Sequence, residues 1–587
     1  MGKSAPAGYC AEPAAAAGLF LLLTLGLYYP VPVNFWLIDD TQFLKHAILY
    51  RPWESFFSPV AWQRLGGVNF NPWLSFSYHI DWSLFGLRPG GFYLHHLLSL
   101  ALLDIAAYLT LRLWLRPGLS FISVLAFTLS PVFAELSQTL MCRHYIEGMI
   151  FSCISIYAMV WGTRRGSRPA QLLSALFYLL ACLAKEVYVP LPFFFLLLPE
   201  GRLRERLTAC LPAFAMTVLY FFWRWYMLGK IGGGYGATLS WPLDGLLFFP
   251  HLLSATGAGL AIKAHPWWPA AVAVSVLAAS CLLLWLDKKS FGRALLALPL
   301  IALPIVPVST GMTGRYVFLP LFCLIVLHAV AWEGLLKRSA ANFTKTVSKP
   351  VARLVVLLWA VVVVAALSFA AITHYRLFGA SVAGQAAEGS FVLQEGSAGD
   401  LLLKPMSLPH YYEGLAWLRN RVLRLPPGPS VLYDEAIYCS DAAGGPKFSR
   451  VWQYDETEKR LMPRQAQEHL CRTCGPELLS LVRAGVPLTI DFRCSGNVCL
   501  YEFGPRKDGS YTVLAGEPAG IAYQMPARGR AVLEDMKVPW RLRYTSPEGW
   551  SAYSPVLTLT IAQGKGSVSW KGDSIPLQKA DYCAGGR

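Results

Sequence analysis

Charge is what this sequence has least of. Only 15% of its 587 residues are Asp, Glu, Lys or Arg, against 55% hydrophobic, and the mean hydropathy is +0.42. Soluble domains carry about 25% charged residues, so a soluble globular chain is excluded and a polytopic membrane protein is implied. Acids are scarcer than bases, 35 against 51, for a net charge of +16. Much of that excess sits in short loops between apolar segments, where membrane orientation accounts for it, so no nucleic-acid partner is expected. Clear internal repeats are missing, which weighs against an alternating-access transporter. His46, His79, His95 and His96 have no second cluster of suitable spacing, so they read as packing residues rather than metal ligands.

What is present is a series of apolar stretches from Ala14 to about Thr373, read as about eleven spans. They lie near 14–29, 92–115, 119–138, 146–161, 171–184, 187–198, 207–228, 268–286, 294–309, 316–332 and 354–373. Arg112 and Arg116, Arg164 to Arg168, Arg202 to Arg206, Lys288 to Arg293 and Lys337 to Arg353 then fall on one side, which the positive-inside rule makes cytoplasmic. The fifth and sixth segments are short. Fusing them would send one basic loop outside, so two helices meeting at Lys185-Glu186 fit better.

With the N-terminus inside, the outer face collects the unusual ionisable residues at helix ends: Asp39, Asp40, Glu135, Lys185, Glu186 and Arg315, with Arg143 nearby. The first external loop, 30–91, is longer than a connection needs to be. It carries Trp36, Trp53, Phe56, Trp62, Phe70, Trp73 and Trp82, so it is expected to lie on the membrane as interfacial helices.

Residues 1–376 thus form a transmembrane domain, and 377–587 a soluble α/β or mostly β domain on the extracytoplasmic side, beginning with an amphipathic helix near 411–425. Six of the 13 cysteines fall in that domain: Cys439, Cys471, Cys474, Cys494, Cys499 and Cys583. An even set in an oxidising compartment reads as disulfides. The rival is a zinc site in which Cys494 and Cys499 complete the Cys471-Arg-Thr-Cys474 pair.

The Asp39-Asp40 pair, the run from Asn71 to Leu98, and the segments Leu129–Glu135, Leu183–Pro192, Tyr220–Gly229 with Gly232–Tyr235, and Gly314–Pro320 resemble, in order, the GT-C glycosyltransferases. Within them the chain is similar to the protein mannosyltransferases and the transmembrane, tetratricopeptide-bearing O-mannosyltransferases. It departs from them at Ser130-Pro131, where His-Pro is common, and at Tyr93 and His96. No tetratricopeptide period follows Thr373.

The resemblance implies an enzyme that transfers a hexosyl or related sugar from a polyprenyl-phosphate carrier to a protein or glycan acceptor at the outer face of the bilayer. An acid of the first external loop, Asp39 or Asp40, would be the base of an inverting transfer. Glu135 would be the acid of the second external loop. Arg315, Lys185 and Arg143 would bind the donor phosphate.

Whether a divalent metal takes part is left open. The single Asn-x-Ser/Thr sequon, Asn342-Phe-Thr344, is on the expected inner side and no retention signal is seen. A bacterial inner membrane with a periplasmic domain is therefore expected, with the endoplasmic reticulum as alternative. A flippase of lipid-linked saccharides and a non-catalytic scaffold are the alternative functions.

Overall fold

A computed structural model describes residues 8–29, 35–65, 69–229, 314–342, 349–432, 448–464, 475–495, 498–515, 521–532, 537–560, 565–577 and the single positions 274, 277, 278, 280, 297, 434 and 436. Apart from those single positions, the expected spans 268–286 and 294–309 and the long loop before them lie outside the described residues, as do Cys439, Cys471, Cys474 and Cys583. The chain divides into two compact units, residues 1–34 with 46–381, and residues 35–45 with 382–587.

The first unit is helical. Among the described residues, four helices are long and apolar enough to cross a membrane: Pro89–Leu111, Leu140–Arg165, Leu203–Leu228 and Arg315–Gly334. Shorter apolar helices run over Glu12–Tyr28, Pro117–Thr128, Arg168–Ala184 and Glu186–Leu197.

Proline sets many of the starts. Pro72, Pro89, Pro117 and Pro131 each open a helix, where the missing N–H costs nothing and the fixed φ already suits a helix. The span read at 119–138 is therefore two helices broken at Ser130-Pro131. The Ser130 hydroxyl accepts the Phe133 N–H at 3.3 Å and caps the second of them.

On Pro89–Leu111, Leu94, Leu98, Leu102 and Leu109 form an exposed apolar stripe that lipid would cover, while Leu97, Leu100, Leu103 and Ala107 are buried. Asp104 is buried on the same helix and accepts a hydrogen bond from Thr24 Oγ1 at 2.9 Å, tying two helices together. The described part of the first loop region is helical, in four pieces, Asp40–Leu49, Glu54–Phe57, Pro59–Arg64 and Pro72–Phe85, each too short to span a bilayer.

The Lys349–Ser390 helix is continuous through residue 376, where the sequence reading placed its domain boundary. Beyond it the second unit is β-rich. Asp400–Leu403, buried along its whole length, pairs in parallel with Ser430–Leu432 and Arg450–Asp455. The last of these pairs antiparallel with Arg460–Arg464. The Pro409–Trp417 helix lies in the crossover between the first two strands.

Two antiparallel sheets follow. One holds Ser551–Tyr553, Lys537–Thr545, Ser510–Ala515, Ile521–Met525 and Leu557–Thr560. The other holds Lys565–Asp573, Pro487–Ser495, Val498–Gly504 and Arg528–Val532. They share a core because alternate residues point inward: Leu488, Ile490 and Phe492 from one sheet meet Trp540, Leu542 and Tyr544 from the other. Cys494 and Cys499 face each other across the Pro487–Ser495 hairpin and are disulfide-bonded. A zinc set that requires both as thiolates is ruled out by that bond.

Candidate functional site

Within the helical unit, Lys185 and Arg315 converge although 130 residues separate them. Lys185 ends the Arg168–Ala184 helix, is buried, and places Nζ 5.2 Å from the centre of the Tyr145 ring. Arg315 is the second residue of the Gly314–Asn342 helix. It stacks its guanidinium 5.0 Å from the Tyr316 ring centre, and Nη2 donates to the Tyr316 hydroxyl at 3.2 Å.

Tyr145 and Tyr316 are edge-on neighbours at 6.4 Å, and the positive fields of Lys185 and Arg315 both reach His144 and each other. Among the described residues no carboxylate forms an ion pair with either cation. Glu186, the sequence neighbour of Lys185, acts on it through its charge, but its carboxylate accepts from Arg224 Nη1 at 2.5 Å and from the Phe70 N–H at 2.7 Å. Two cations held by rings, one of them at a helix N-terminus, form a place where an anion gains from both charges and from the positive end of that helix.

Arg143, the third expected phosphate ligand, is elsewhere engaged. It is fully buried, forms an ion pair with Asp81, and donates to Ser77 Oγ at 3.1 Å and to the Phe92 carbonyl at 2.8 Å. His95 Nδ1 lies 2.6 Å from Asp81 and its Nε2 lies 3.7 Å from Glu147. Glu147 in turn accepts from Trp73 Nε1 and Ser77 Oγ. The sequence shows the charge of Arg143 but not its partner 62 positions earlier, and this network closes on itself. Glu135 faces His374, with 3.5 Å between Oε2 and Nε2.

The two adjacent aspartates belong to the other unit and differ from each other. Asp40 is completely buried, and its Oδ2 accepts the Leu37 N–H at 2.7 Å, closing a tight loop. In that loop Ile38 has φ +45°, a left-handed conformation that a β-branched residue rarely takes. Such a residue costs about 1–3 kcal/mol and persists only where its surroundings over-determine it. Asp39, by contrast, remains 32% exposed, and its Oδ1 lies 2.9 Å from Nε2 of His410.

His410 sits in the first turn of Pro409–Trp417, and no local pattern in the sequence singles it out. Burial pushes the carboxyl of Glu388, also in this unit, up to about 7. Among the described residues no group of three or more His, Cys, Asp or Glu side chains converges as metal ligands.

No family model and no curated protein matches the sequence. Among solved structures, ArnT from Cupriavidus metallidurans in the apo state is similar at 14% identity and a TM-score of 0.37, over 82% of this chain and 96% of that one. The same protein bound to undecaprenyl phosphate gives 15% identity and a TM-score of 0.36, over 80% and 95%. The Archaeoglobus fulgidus oligosaccharyltransferase, tethered with an acceptor peptide containing the NVT sequon, gives 12% and 0.41, over 72% and 65%. At these values the likeness is one of outline alone.

Proposed function

We propose that the chain is an integral membrane glycosyltransferase that moves a sugar from a polyprenyl-phosphate carrier to an acceptor hydroxyl at the extracytoplasmic face, with inversion. The observation that carries this reading is the Lys185–Arg315 cluster, whose cations have no carboxylate partner among the described residues. In transfer, charge develops on the phosphate oxygen as the bond to the anomeric carbon breaks, and fixed cations at that oxygen lower the barrier. The acceptor hydroxyl must lose its proton as it attacks.

Asp39 is the accessible carboxylate and belongs to the proton-accepting centre. Asp40, buried and bonded to Leu37, holds the loop. The ordered sequence segments resembling GT-C enzymes support the same reaction class. Glu135, paired with His374, is assigned to the acceptor side, and Arg143 to the integrity of the bundle.

The test uses the purified full chain with polyprenyl-phosphate sugars. Transfer by the unaltered chain, its loss in Asp39→Asn, and a lowered melting temperature in Asp40→Asn are expected. Undiminished transfer by Asp39→Asn removes the proton role from this loop. Movement of the lipid-linked sugar across the bilayer without transfer replaces the enzyme by a flippase.

A further inference from the structure

We infer that His410 is the general base of the reaction and that Asp39 orients it. This rests on the transfer reading above and goes further by locating the group that takes the proton. A carboxylate can only accept, so the 2.9 Å contact puts the imidazole proton on Nε2 and leaves the Nδ1 lone pair outward. No hydrogen bond engages Nδ1 among the described residues, and the His410 side chain is 27% exposed. An imidazole in this state, with a carboxylate behind it, is the arrangement that accepts a hydroxyl proton while the carboxylate stabilises the imidazolium formed.

The surroundings hold both partners in place. Tyr411, the next residue, donates its hydroxyl to the Trp36 carbonyl at 2.9 Å, and its own carbonyl accepts from Thr41 Oγ1 at 3.3 Å. Gly414, one turn along, lets the two segments approach: a Cβ there would meet Thr41 Oγ1 at 2.5 Å and Thr41 Cβ at 2.6 Å. The loop and the helix are thus fastened on both sides of the Asp39–His410 contact, and the left-handed Ile38 fixes the direction in which Asp39 leaves the chain. A contact between two mobile surface side chains needs none of this support.

In the step itself, the acceptor O–H bond breaks and its proton passes to His410 Nδ1. The oxygen bonds to the anomeric carbon, and the carbon–phosphate oxygen bond breaks with its electron pair leaving on the carrier phosphate. Asp39 holds Nε2–H throughout. Release of the proton from Nδ1 to water restores the pair.

His410→Gln and His410→Ala test this in the full-length chain, with melting temperature and the donor KM measured beside kcat. Gln keeps an N–H for Asp39 but cannot take a proton, so kcat is expected to fall about 10²- to 10⁴-fold with the donor KM unchanged. Added imidazole is expected to restore part of the rate to His410→Ala and none to Asp39→Asn. A His410→Gln rate within about threefold of the unaltered chain overturns the inference while leaving the transfer reading intact. So does a loss that imidazole does not relieve and that tracks a lowered melting temperature, since that marks a structural histidine. Absence of transfer by the unaltered chain removes the underlying reading instead.

Discussion

The two ends of the helical unit treat positive charge differently. At the end expected to be cytoplasmic, Arg112 pairs with Glu12 at 3.0 Å, Arg116 with Glu333 at 3.0 Å and Arg164 with Glu200 at 2.8 Å. Each pair joins segments far apart in sequence, so basic loops that set orientation also staple the bundle. At the opposite end Arg143 and Arg224 have carboxylates too, Asp81 and Glu186, but Lys185 and Arg315 have aromatic rings instead. The difference separates cations paired with carboxylates from cations set against rings, and it is a distinction of partner rather than of residue type.

The largest effect is expected where a buried pair is broken. Asp81→Ala leaves the fully buried Arg143 without its counter-charge and should cost about 3–5 kcal/mol of stability. It would be read as a steep loss of melting temperature in detergent. Asp81→Ala combined with Arg143→Met should recover much of that loss. If the single and double variants melt alike, Arg143 is not the structural cation that the comparison makes it.

Next comes the pair proposed to bind the donor phosphate. Arg315→Gln should lower kcat/KM for the lipid-phosphate donor by about 10²- to 10³-fold with little change in melting temperature, and Lys185→Gln should act in the same direction. Arg116→Gln, at the other end, should do the reverse, with transfer nearly unchanged and the melting temperature lower. Equal effects of Arg315→Gln and Arg116→Gln on transfer would erase the contrast between the ends.

Glu388 carries the comparison into the second unit, since it is a buried carboxylate whose partners are a phenol and a backbone amide. Its Oε2 accepts from Tyr412 Oη at 2.5 Å and from the Met406 N–H at 2.9 Å. Among the described residues no cation is bonded to it, and burial dominates and raises the carboxyl from 4.5 to about 7. The folded chain therefore holds a proton that the unfolded chain releases. The contribution of this group is fully present below pH 4.5 and is lost as pH rises through 7, a change on the order of 3 kcal/mol. Glu388→Gln should flatten that part of the stability–pH curve, measured as melting temperature between pH 4.5 and 8. An unaltered slope would mean that Glu388 is ionised throughout.

Much of the helical unit was legible because apolar length and proline position are local properties. The Pro89–Leu111 and Arg168–Ala184 helices lie within a few residues of the expected 92–115 and 171–184. Lys185 and Arg315 were legible for a related reason, since an ionisable residue at the end of an apolar helix stands out in any window. Partners were not legible. Nothing in the sequence says that Glu186 turns to Arg224, that Arg143 meets Asp81, or that the segment 35–45 groups with residues far beyond it. Asp39 and Asp40 show the limit most closely: adjacent and identical in sequence, they diverge because one side chain closes a loop and the other leaves it.

The smallest expected effect falls on the most exposed of the staples. Glu12 accepts from Arg112 Nε at 3.0 Å and Nη2 at 3.1 Å and from the Tyr108 hydroxyl, with 37% of its side chain exposed. Bidentate geometry favours the pair, but water and salt screen it, so Glu12→Gln should cost only about 0–1 kcal/mol and less at high ionic strength. Glu333→Gln removes a 9% exposed carboxylate that serves both Arg116 and Lys337 and should cost more. Melting the two variants at low and high salt ranks them. If Glu12→Gln is the more damaging, burial does not set the strength of these staples, and what distinguishes the two ends is their position relative to the membrane.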